Sequence, residues 1–152
     1  MPYFRQAKQN DLPVLIDLLH DDPLGKTREN VNAGTSYIEA FKAIEKNPNH
    51  QLLLLCEKDL ILGLLQLSFI PSLTYSGGWR AQIEGVRIHK DYRGQGLGEA
   101  LITEAIKAAT NFNCCLIQLS TDKRRPESLS FYLKQGFKAS HEGLKLQLKT
   151  QA

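Results

Sequence analysis

The chain has no long apolar run and few cysteines. Its longest apolar stretch, Leu60-Ile61-Leu62-Gly63-Leu64-Leu65, has the length of a strand and falls well short of the roughly 18–20 residues that span a bilayer. The N-terminus lacks the apolar core and cleavage site of a signal peptide. Three cysteines, of which Cys114 and Cys115 are adjacent, do not make a disulfide framework. We therefore expect no membrane segment and a reducing, cytoplasmic location.

The excess of charge of either sign is also small. The 152 residues carry a formal net charge of +3 at pH 7. This weak basicity suits a small anionic ligand and falls short of the basic surfaces that bind nucleic acid. The four histidines, His20, His50, His89 and His141, lack the spacing of metal ligands. The sequence thus predicts neither a nucleic-acid partner nor a bound metal ion.

Hydrophobic residues recur with strand and helix periods in turn, which predicts an α/β fold. No repeat, low-complexity segment or flexible linker divides the chain, so we expect a single domain over residues 1–152. The order of elements favours a mixed β-sheet flanked by helices on both faces. Predicted helices cover residues 10–20, 28–46, 97–111 and 126–135. Predicted strands cover residues 3–7, 52–57, 60–70, 79–89, 115–119, 137–139 and 144–148.

The most informative stretch is Tyr92-Arg93-Gly94-Gln95-Gly96-Leu97-Gly98, between a predicted strand and a predicted helix. Glycine at every second position lets the backbone turn tightly and approach a ligand closely. The unpaired N–H groups and positive dipole end of the following helix point into the same turn. This arrangement predicts a phosphate or pyrophosphate site. Its spacing excludes a Walker loop, which needs Gly-Lys-Ser/Thr, and a dinucleotide fingerprint, whose third glycine would fall at Glu99.

The strand before this turn changes phase. Ala81 and Ile83 place apolar groups at odd positions, whereas Val86 and Ile88 place them at even positions. Because side chains alternate strictly between the faces of a strand, an extra residue must lie in between. We predict a β-bulge at Glu84-Gly85 in the fourth strand, which aims the Glu84 carboxylate into a cleft beside the glycine turn. The alternative is an irregular strand without a function.

Three motifs in order resemble the GNAT family of N-acetyltransferases. The run from Val86 to Gly98 resembles their acetyl-coenzyme A signature, Arg/Gln-x-x-Gly-x-Gly/Ala, with Arg93, Gly96 and Gly98 in the defining places. Residues 116–121 resemble the following strand, and residues 130–137 resemble the Phe-Tyr-x-x-x-Gly-Phe end of the last helix. The first half of the chain matches only in layout. The resemblance implies the acyl-CoA N-acyltransferase fold and acetyl-CoA as cosubstrate.

The same resemblance assigns the coenzyme contacts. It places the pantetheine arm along the strand residues Val86, Arg87 and Ile88. It assigns the pyrophosphate to the N–H groups of Arg93, Gly94, Gln95, Gly96, Leu97, Gly98 and Glu99. Many relatives carry Asn at the place that Arg125 occupies here, so the usual contact to the pantetheine arm departs from the family pattern. We expect Arg125 to contact a coenzyme phosphate or the acceptor instead.

Acetyl transfer to an amine needs a base, because a free amine is mostly protonated at neutral pH. Glu84 is the candidate, acting directly or through water, and such help is worth ~10²–10⁴-fold in rate. The alternatives are a carboxylate that binds a cationic acceptor and a solvated strand residue. Tyr132 matches the family's proton donor to the leaving thiolate. Its alternative is a helix tyrosine with a buried ring and a solvated hydroxyl group.

These observations predict an acetyl-CoA-dependent N-acetyltransferase that acts on the primary amine of a small molecule. The alternatives are a catalytically inactive acetyl-CoA-binding sensor and a protein or peptide N-acetyltransferase. The basic turn Lys123-Arg124-Arg125 is similar to the aminoalkylphosphonate branch of the family, where an arginine would meet an anionic acceptor. Since relatives commonly dimerise, the resemblance also implies a possible homodimer.

Overall fold

A five-stranded sheet forms the centre of the molecule, and its strands lie side by side in chain order. The computed structural model describes residues 1–32 and 34–149. The strands are β1 (Tyr3–Gln6), β2 (His50–Glu57), β3 (Leu60–Ile70), β4 (Arg80–Ile88) and β5 (Leu116–Gln118). Neighbours from β1 to β4 pair antiparallel, whereas β5 pairs parallel with β4. The predicted mixed sheet is confirmed.

Helices cover both faces of this sheet, as predicted. They are α1 (Leu12–His20), α2 (Gly25–Arg28), α3 (Gly34–Lys46), the single turn α4 (Thr74–Gly77), α5 (Leu97–Asn111) and α6 (Pro126–Lys134). The apolar stripe of α5 is buried on one face of the sheet through Leu101, Ile102, Ala105 and Ala109. Leu15 and Leu18 of α1 pack on the opposite face. We call these the α5 face and the α1 face.

The predicted bulge in β4 is confirmed. Leu64 of β3 pairs with Arg87 and Gln66 pairs with Glu84, so β4 has one residue more than β3 between these two pairs. Gly85 takes a left-handed conformation at φ 63°, which a residue without a Cβ adopts readily. Val86 and Ile88 pack on the α5 face. Strand alternation therefore directs Arg87 to the α1 face, and the bulge lets Glu84 share that face.

The predicted helix over residues 28–46 is wrong in its first part. The structure has α2 up to Arg28 and then an extended residue, Glu29, before α3 begins at Gly34. In between, the N–H of Asn32 donates to the side-chain oxygen of Asn30 at 3.0 Å. Asparagine competes with helix formation through such local hydrogen bonds. Residue 33 of the predicted helix lies outside the described residues.

The two strands predicted after α6 are wrong for the chain as described. Neither 137–139 nor 144–148 is paired with another strand in residues 1–32 and 34–149. Leu144, Leu146 and Leu148 are 91%, 86% and 88% exposed. Alternation of apolar and polar residues sets the faces of a strand, but a strand also needs a hydrogen-bonding neighbour. No strand among residues 1–32 and 34–149 pairs with either segment.

Candidate active site

The glycine turn leads directly into the first turn of α5. Gly94 and Gly96 are left-handed, with φ angles of 77° and 80°. The first hydrogen bond of the helix runs from the N–H of Ala100 to the carbonyl of Gly96 at 3.1 Å. Gly96 is the N-cap residue and has no side chain that could cap the earlier N–H groups, those of Leu97, Gly98 and Glu99. These donors are therefore available to an anion.

The space above the turn is open. A Cβ atom placed at Gly94 or at Gly96 would meet no atom within 4 Å. Open space, free N–H donors and the positive end of a 15-residue helix together match the requirements of a pyrophosphate. The predicted cradle thus fits acetyl-CoA on the geometry of its backbone.

Arg93 holds the turn in place through its side chain. Its Nε donates to the carbonyl of Ile88 at 3.1 Å, and its Nη2 donates to the carbonyl of Asp21 at 3.1 Å. The first bond fixes the turn to the end of β4, and the second fixes it to the residue that follows α1. The Arg93 side chain therefore has a positioning role, and its backbone N–H remains the predicted coenzyme contact.

Gly98 brings α6 close to the turn. A Cβ at Gly98 would lie 3.3 Å from Cζ of Phe131, which is tighter than an ordinary contact. The missing side chain lets the Phe131 ring rest against the first turn of α5. Tyr132 is the next residue, so this contact places the candidate proton donor near the coenzyme site.

Tyr132 is enclosed by aromatic rings. It makes edge-on contacts with Phe131 and Phe137, at centroid distances of 5.1 and 5.8 Å. Burial raises the pKa of Tyr132, and the positive charges of Arg87 and Arg125 offset part of that rise. The hydroxyl group therefore keeps its proton at neutral pH, as a general acid must. The charges of Arg87 and Arg125 stabilise the tyrosinate form that a proton donor at this position would leave behind.

Glu84 lies on the bulge with an exposed side chain. Its carboxylate has no hydrogen bond or ion pair with any residue that the structure describes. An unpaired carboxylate at the rim of the strand is free to accept a proton from an amine or a water molecule. Its role as the base stays a prediction.

Arg125 and Arg87 meet at one carboxylate. Both terminal nitrogens of Arg125 donate to Asp22, one of them at 2.7 Å. Nη2 of Arg87 lies 3.9 Å from the same carboxylate. Burial raises the pKa of Asp22, but hydrogen bonds from Arg125 and from the N–H of Gly25 outweigh burial and hold that pKa below its usual value. Asp22 is therefore ionised and joins the two arginines.

Arg87 is the less satisfied of the two arginines. Its side chain is only 13% exposed, and burial lowers its pKa. Nη1 donates to the carbonyl of Val86 at 2.9 Å. Its Nε is buried and has no hydrogen-bond partner among the residues that the structure describes. A buried charged donor without a partner is unfavourable unless a ligand supplies the acceptor.

A second carboxylate links two further arginines. Asp122 accepts from Arg28 at 2.7 Å and from Arg124 at 2.9 Å. The hydrogen bond from Arg124 is the main reason why the pKa of Asp122 is well below its usual range. We call Arg28, Arg87, Arg124 and Arg125 the arginine cluster. The Glu29 carboxylate also acts electrostatically on Arg87, so four guanidinium groups face three carboxylates and the cluster keeps a small excess of positive charge.

Sequence reasoning identified only part of this cluster. Arg87 was predicted as a coenzyme contact, Arg125 as a contact to a coenzyme phosphate or to the acceptor, and the basic turn 123–125 was noted. Asp22 and Arg28 were missed, because neither belongs to a motif. The sequence offers only a weak signal for Asp22, which is an acidic residue shortly before a helix. In the structure its carboxylate accepts the N–H groups of Leu24 and Gly25.

The described residues contain neither a candidate membrane-spanning helix nor a cluster of metal-ligating side chains. Within residues 1–32 and 34–149, no helix is both long and apolar enough to cross a membrane. In the same part of the chain, no three His, Cys, Asp or Glu side chains gather as a metal site would require.

The chain matches a known protein family and resembles two N-acetyltransferases in sequence. Residues 14–137 match the model of the Acetyltransferase (GNAT) family. A glucosamine 6-phosphate N-acetyltransferase from Trypanosoma brucei brucei is 34% identical over 88 residues, which cover 58% of each chain, so the match spans just over half of that protein's length. An aminoalkylphosphonate N-acetyltransferase from Salmonella typhimurium is 27% identical over 106 residues, 70% of this chain and 68% of that one.

Among solved structures, a transcriptional regulator from Bacillus halodurans C-125 is 48% identical to this chain. The two superimpose with a TM-score of 0.94 over 97% of this chain and 100% of that one. The similarity includes the whole sheet described above.

Proposed function

Because the chain belongs to the GNAT family of acetyl-CoA-dependent acetyltransferases, we propose that it acetylates the primary amine of a small molecule that also carries a phosphate or phosphonate group. The observation behind this proposal is the arginine cluster, above all the buried and unpartnered Nε of Arg87. Arg87 lies on the same face of β4 as the candidate base Glu84. An acceptor can thus present its amine to Glu84 and its phosphate or phosphonate group to Arg87.

The coenzyme binds to the backbone between Val86 and Glu99. The N–H groups of the glycine turn and of the first turn of α5 hold the pyrophosphate. The pantetheine arm follows the end of β4, where the backbone groups of Val86 and Ile88 pair with its amides as a further strand would. Among the described residues, β5 pairs with β4 only as far as Gln82, so the β5 side of β4 has no strand partner at Val86 and Ile88. The carbonyls of these two residues already accept from the Arg87 and Arg93 side chains.

The reaction is a direct transfer. The Glu84 carboxylate accepts a proton from the ammonium group of the acceptor, directly or through water. The free amine attacks the thioester carbonyl, and a C–N bond forms. When the tetrahedral intermediate collapses, the attacking nitrogen loses its second proton to solvent, the C–S bond breaks and the Tyr132 hydroxyl donates its proton to the leaving thiolate. The products are the N-acetylated acceptor and coenzyme A with a free thiol. Tyr132 regains a proton from solvent, and Glu84 releases its own.

The anion preference has two independent supports. A guanidinium group and a phosphorus oxyanion match in charge and in hydrogen-bond geometry. The two relatives named above are described as acting on an amino sugar phosphate and on aminoalkylphosphonates. Both acceptors combine an amine with a phosphorus oxyanion, although they share little else.

Matched pairs of amines test this proposal. We expect acetylation, followed as coenzyme A release, to be faster with glucosamine 6-phosphate than with glucosamine, and faster with 2-aminoethylphosphonate than with ethanolamine. One charge-assisted hydrogen bond contributes about 1.5–3 kcal/mol, so kcat/KM should differ by roughly 10-fold or more within a productive pair. Equal rates within both pairs contradict the anion preference but not acetyl transfer itself.

A coenzyme-binding regulator is the second candidate, because the 48% identical structure is a transcriptional regulator. Acetyl-CoA would then raise the Tm without turnover on any amine. At a ligand concentration of 100 Kd the stabilisation is about 2.7 kcal/mol. A Tm rise together with coenzyme A release supports the enzyme, and a Tm rise without release from a broad amine panel supports the regulator.

A further inference from the structure

The α1 face of the sheet carries a row of polar side chains next to its apolar part. Strand pairing aligns one residue from each of four neighbouring strands: His50 of β2, Ser68 of β3, Gln82 of β4 and Gln118 of β5. Apolar residues at the alternate positions of the same strands pack on the α5 face, among them Leu53, Leu67, Ile83 and Ile117. Side-chain alternation therefore directs all four polar residues to the α1 face. We call them the polar row.

The hydrogen bonds within the polar row leave some of its polar atoms unpaired. Nδ1 of His50 and Oγ of Ser68 are 2.8 Å apart, and Nε2 of Gln118 donates to Oε1 of Gln82 at 2.8 Å. The amide nitrogen of Gln82 reaches only the carbonyl of the next residue, at 3.5 Å. Oε1 of Gln118 has no hydrogen-bond partner among the described residues, yet it is not one of their buried unpaired atoms. It is therefore open to solvent and to a ligand.

The polar row lies where β4 and β5 separate, beside the candidate base. Gln82 and Gln118 are the last pair between these two strands, and Glu84 follows two residues later on the same face of β4. Two residues of a strand span roughly 7 Å, which is within the length of a small polar metabolite. Arg87 lies beyond Glu84 in the same direction. An acceptor with its amine at Glu84 and its anion at Arg87 therefore places any further part of its structure on the polar row.

We propose that the polar row binds a hydroxyl-bearing part of the acceptor and makes the protein selective for hydroxylated amines, such as amino sugars, over plain aminoalkyl compounds. Amide and hydroxyl groups both donate and accept hydrogen bonds, as the hydroxyl groups of such an acceptor do. An acceptor that is apolar at this position would cover the unpaired atoms of the row without replacing their water, which is unfavourable. This assignment rests on the proposed function, because it takes Glu84 as the position of the amine and Arg87 as that of the anion.

Isothermal titration calorimetry with two amines tests the polar row. The titrations contain free coenzyme A, which has no acetyl group and so prevents turnover. Glucosamine 6-phosphate and 2-aminoethylphosphonate each carry an amine and a phosphorus oxyanion, but only the first has ring hydroxyl groups. We expect the wild type to bind glucosamine 6-phosphate more tightly. Gln118→Met keeps the length of the side chain but removes its amide, so the Kd of glucosamine 6-phosphate should rise roughly 3- to 10-fold. The Kd of 2-aminoethylphosphonate should stay unchanged.

A second variant and a control complete the experiment. Gln82→Met removes the other amide of the pair and should act in the same way as Gln118→Met. Gln51→Met is the matched control, because Gln51 is next to His50 in β2 but lies on the α5 face; it should change neither Kd. Circular dichroism melting shows that the three variants are folded.

The outcomes separate this proposal from the proposed function. Equal affinity of the wild type for the two amines overturns the role of the polar row, and so does an equal loss of both in Gln118→Met and Gln82→Met. Failure of glucosamine 6-phosphate to bind overturns it as well. Equal acetylation rates with glucosamine and glucosamine 6-phosphate contradict only the anion preference, and the effect of the hydroxyl groups is then measured with glucosamine itself.

Discussion

The two sides of the site are built in different ways. The proposed coenzyme side consists of backbone N–H groups within one continuous stretch, residues 86–99, and depends on glycines that leave space. The proposed acceptor side consists of charged side chains whose partners are 94 and 103 residues apart, as in Arg28 with Asp122 and Arg125 with Asp22. A backbone site is specified by spacing and varies little with single substitutions. A side-chain site changes its ligand when one charge changes.

The largest effect should follow from removing Glu84, the proposed base, which lies between the proposed coenzyme and acceptor sides. Glu84→Gln keeps the shape of the residue but cannot accept the amine proton, so kcat/KM should fall by ~10²–10⁴-fold. The decline of activity at low pH should disappear, while acetyl-CoA binding stays unchanged. Glu39→Gln, on the exposed surface of α3, is the control. An unchanged pH–rate profile in Glu84→Gln shows that another group is the base.

Substitution of Arg87 should weaken binding of the acceptor and leave binding of acetyl-CoA unchanged. Arg87→Met removes the buried donor but keeps an apolar stem, so the KM of a phosphorylated amine should rise roughly 10- to 150-fold, the equivalent of about 1.5–3 kcal/mol. The KM values of acetyl-CoA and of the unphosphorylated amine should hardly change. Arg124→Met is the comparison, because that side chain is 66% exposed and should matter less. A rise in the acetyl-CoA KM alone would instead place Arg87 on the coenzyme side.

A smaller effect is expected from Gly96→Ala, which acts on the coenzyme side only. A Cβ at φ 80° costs roughly 1–2 kcal/mol. The turn relieves that strain by leaving the cradle geometry, so the acetyl-CoA KM should rise by up to about 10-fold. Gly77→Ala is a matched control, since Gly77 has φ 77° and equally open surroundings but lies in α4. Both variants should lose similar stability, and only Gly96→Ala should weaken coenzyme binding.

The smallest effect concerns stability on the acceptor side. The folded state holds the pKa of Asp22 below its unfolded value, which is ~3.9 for an ordinary aspartate. Asp22 therefore stabilises the fold above that pH, and the contribution is lost as the pH falls through the folded pKa. Asp22→Asn should lower the Tm at pH 7 by a few degrees, since 1 kcal/mol is about 2–4 °C in a domain of this size.

The direction in which the Tm difference between wild type and Asp22→Asn changes with pH tests this assignment. The Tm difference between wild type and Asp22→Asn should shrink below pH 4 and vanish in stronger acid. Asp59→Asn, on the exposed turn between β2 and β3, should show no such difference at any pH. A difference that grows on acidification contradicts the assignment.

Local sequence patterns predicted features of the proposed coenzyme side, whereas the proposed acceptor side depends on contacts between distant residues. The glycine spacing and the phase slip at Glu84 are local patterns, and they were sufficient to predict the turn and the bulge. The order of the elements was sufficient to predict the mixed sheet. The pairing of Arg125 with Asp22 depends on how α1 and α6 are placed by the sheet, which no local pattern reports. The wrong strand prediction at 144–148 has the same origin, because a strand needs a neighbour, and the presence of that neighbour depends on tertiary structure.

The contacts of Arg93 with Asp21 and of Arg125 with Asp22 also bear on the order of folding. They join residues 72 and 103 positions apart in the chain, whereas β2 and β3 are joined by a two-residue turn. Closing a longer loop costs more conformational entropy before its contacts can form and stabilise the fold. The loop after α1 is therefore expected to dock late, after the sheet has formed, and to open early when the protein is destabilised. We therefore expect the proposed acceptor side to be completed last in folding and to be lost first on destabilisation.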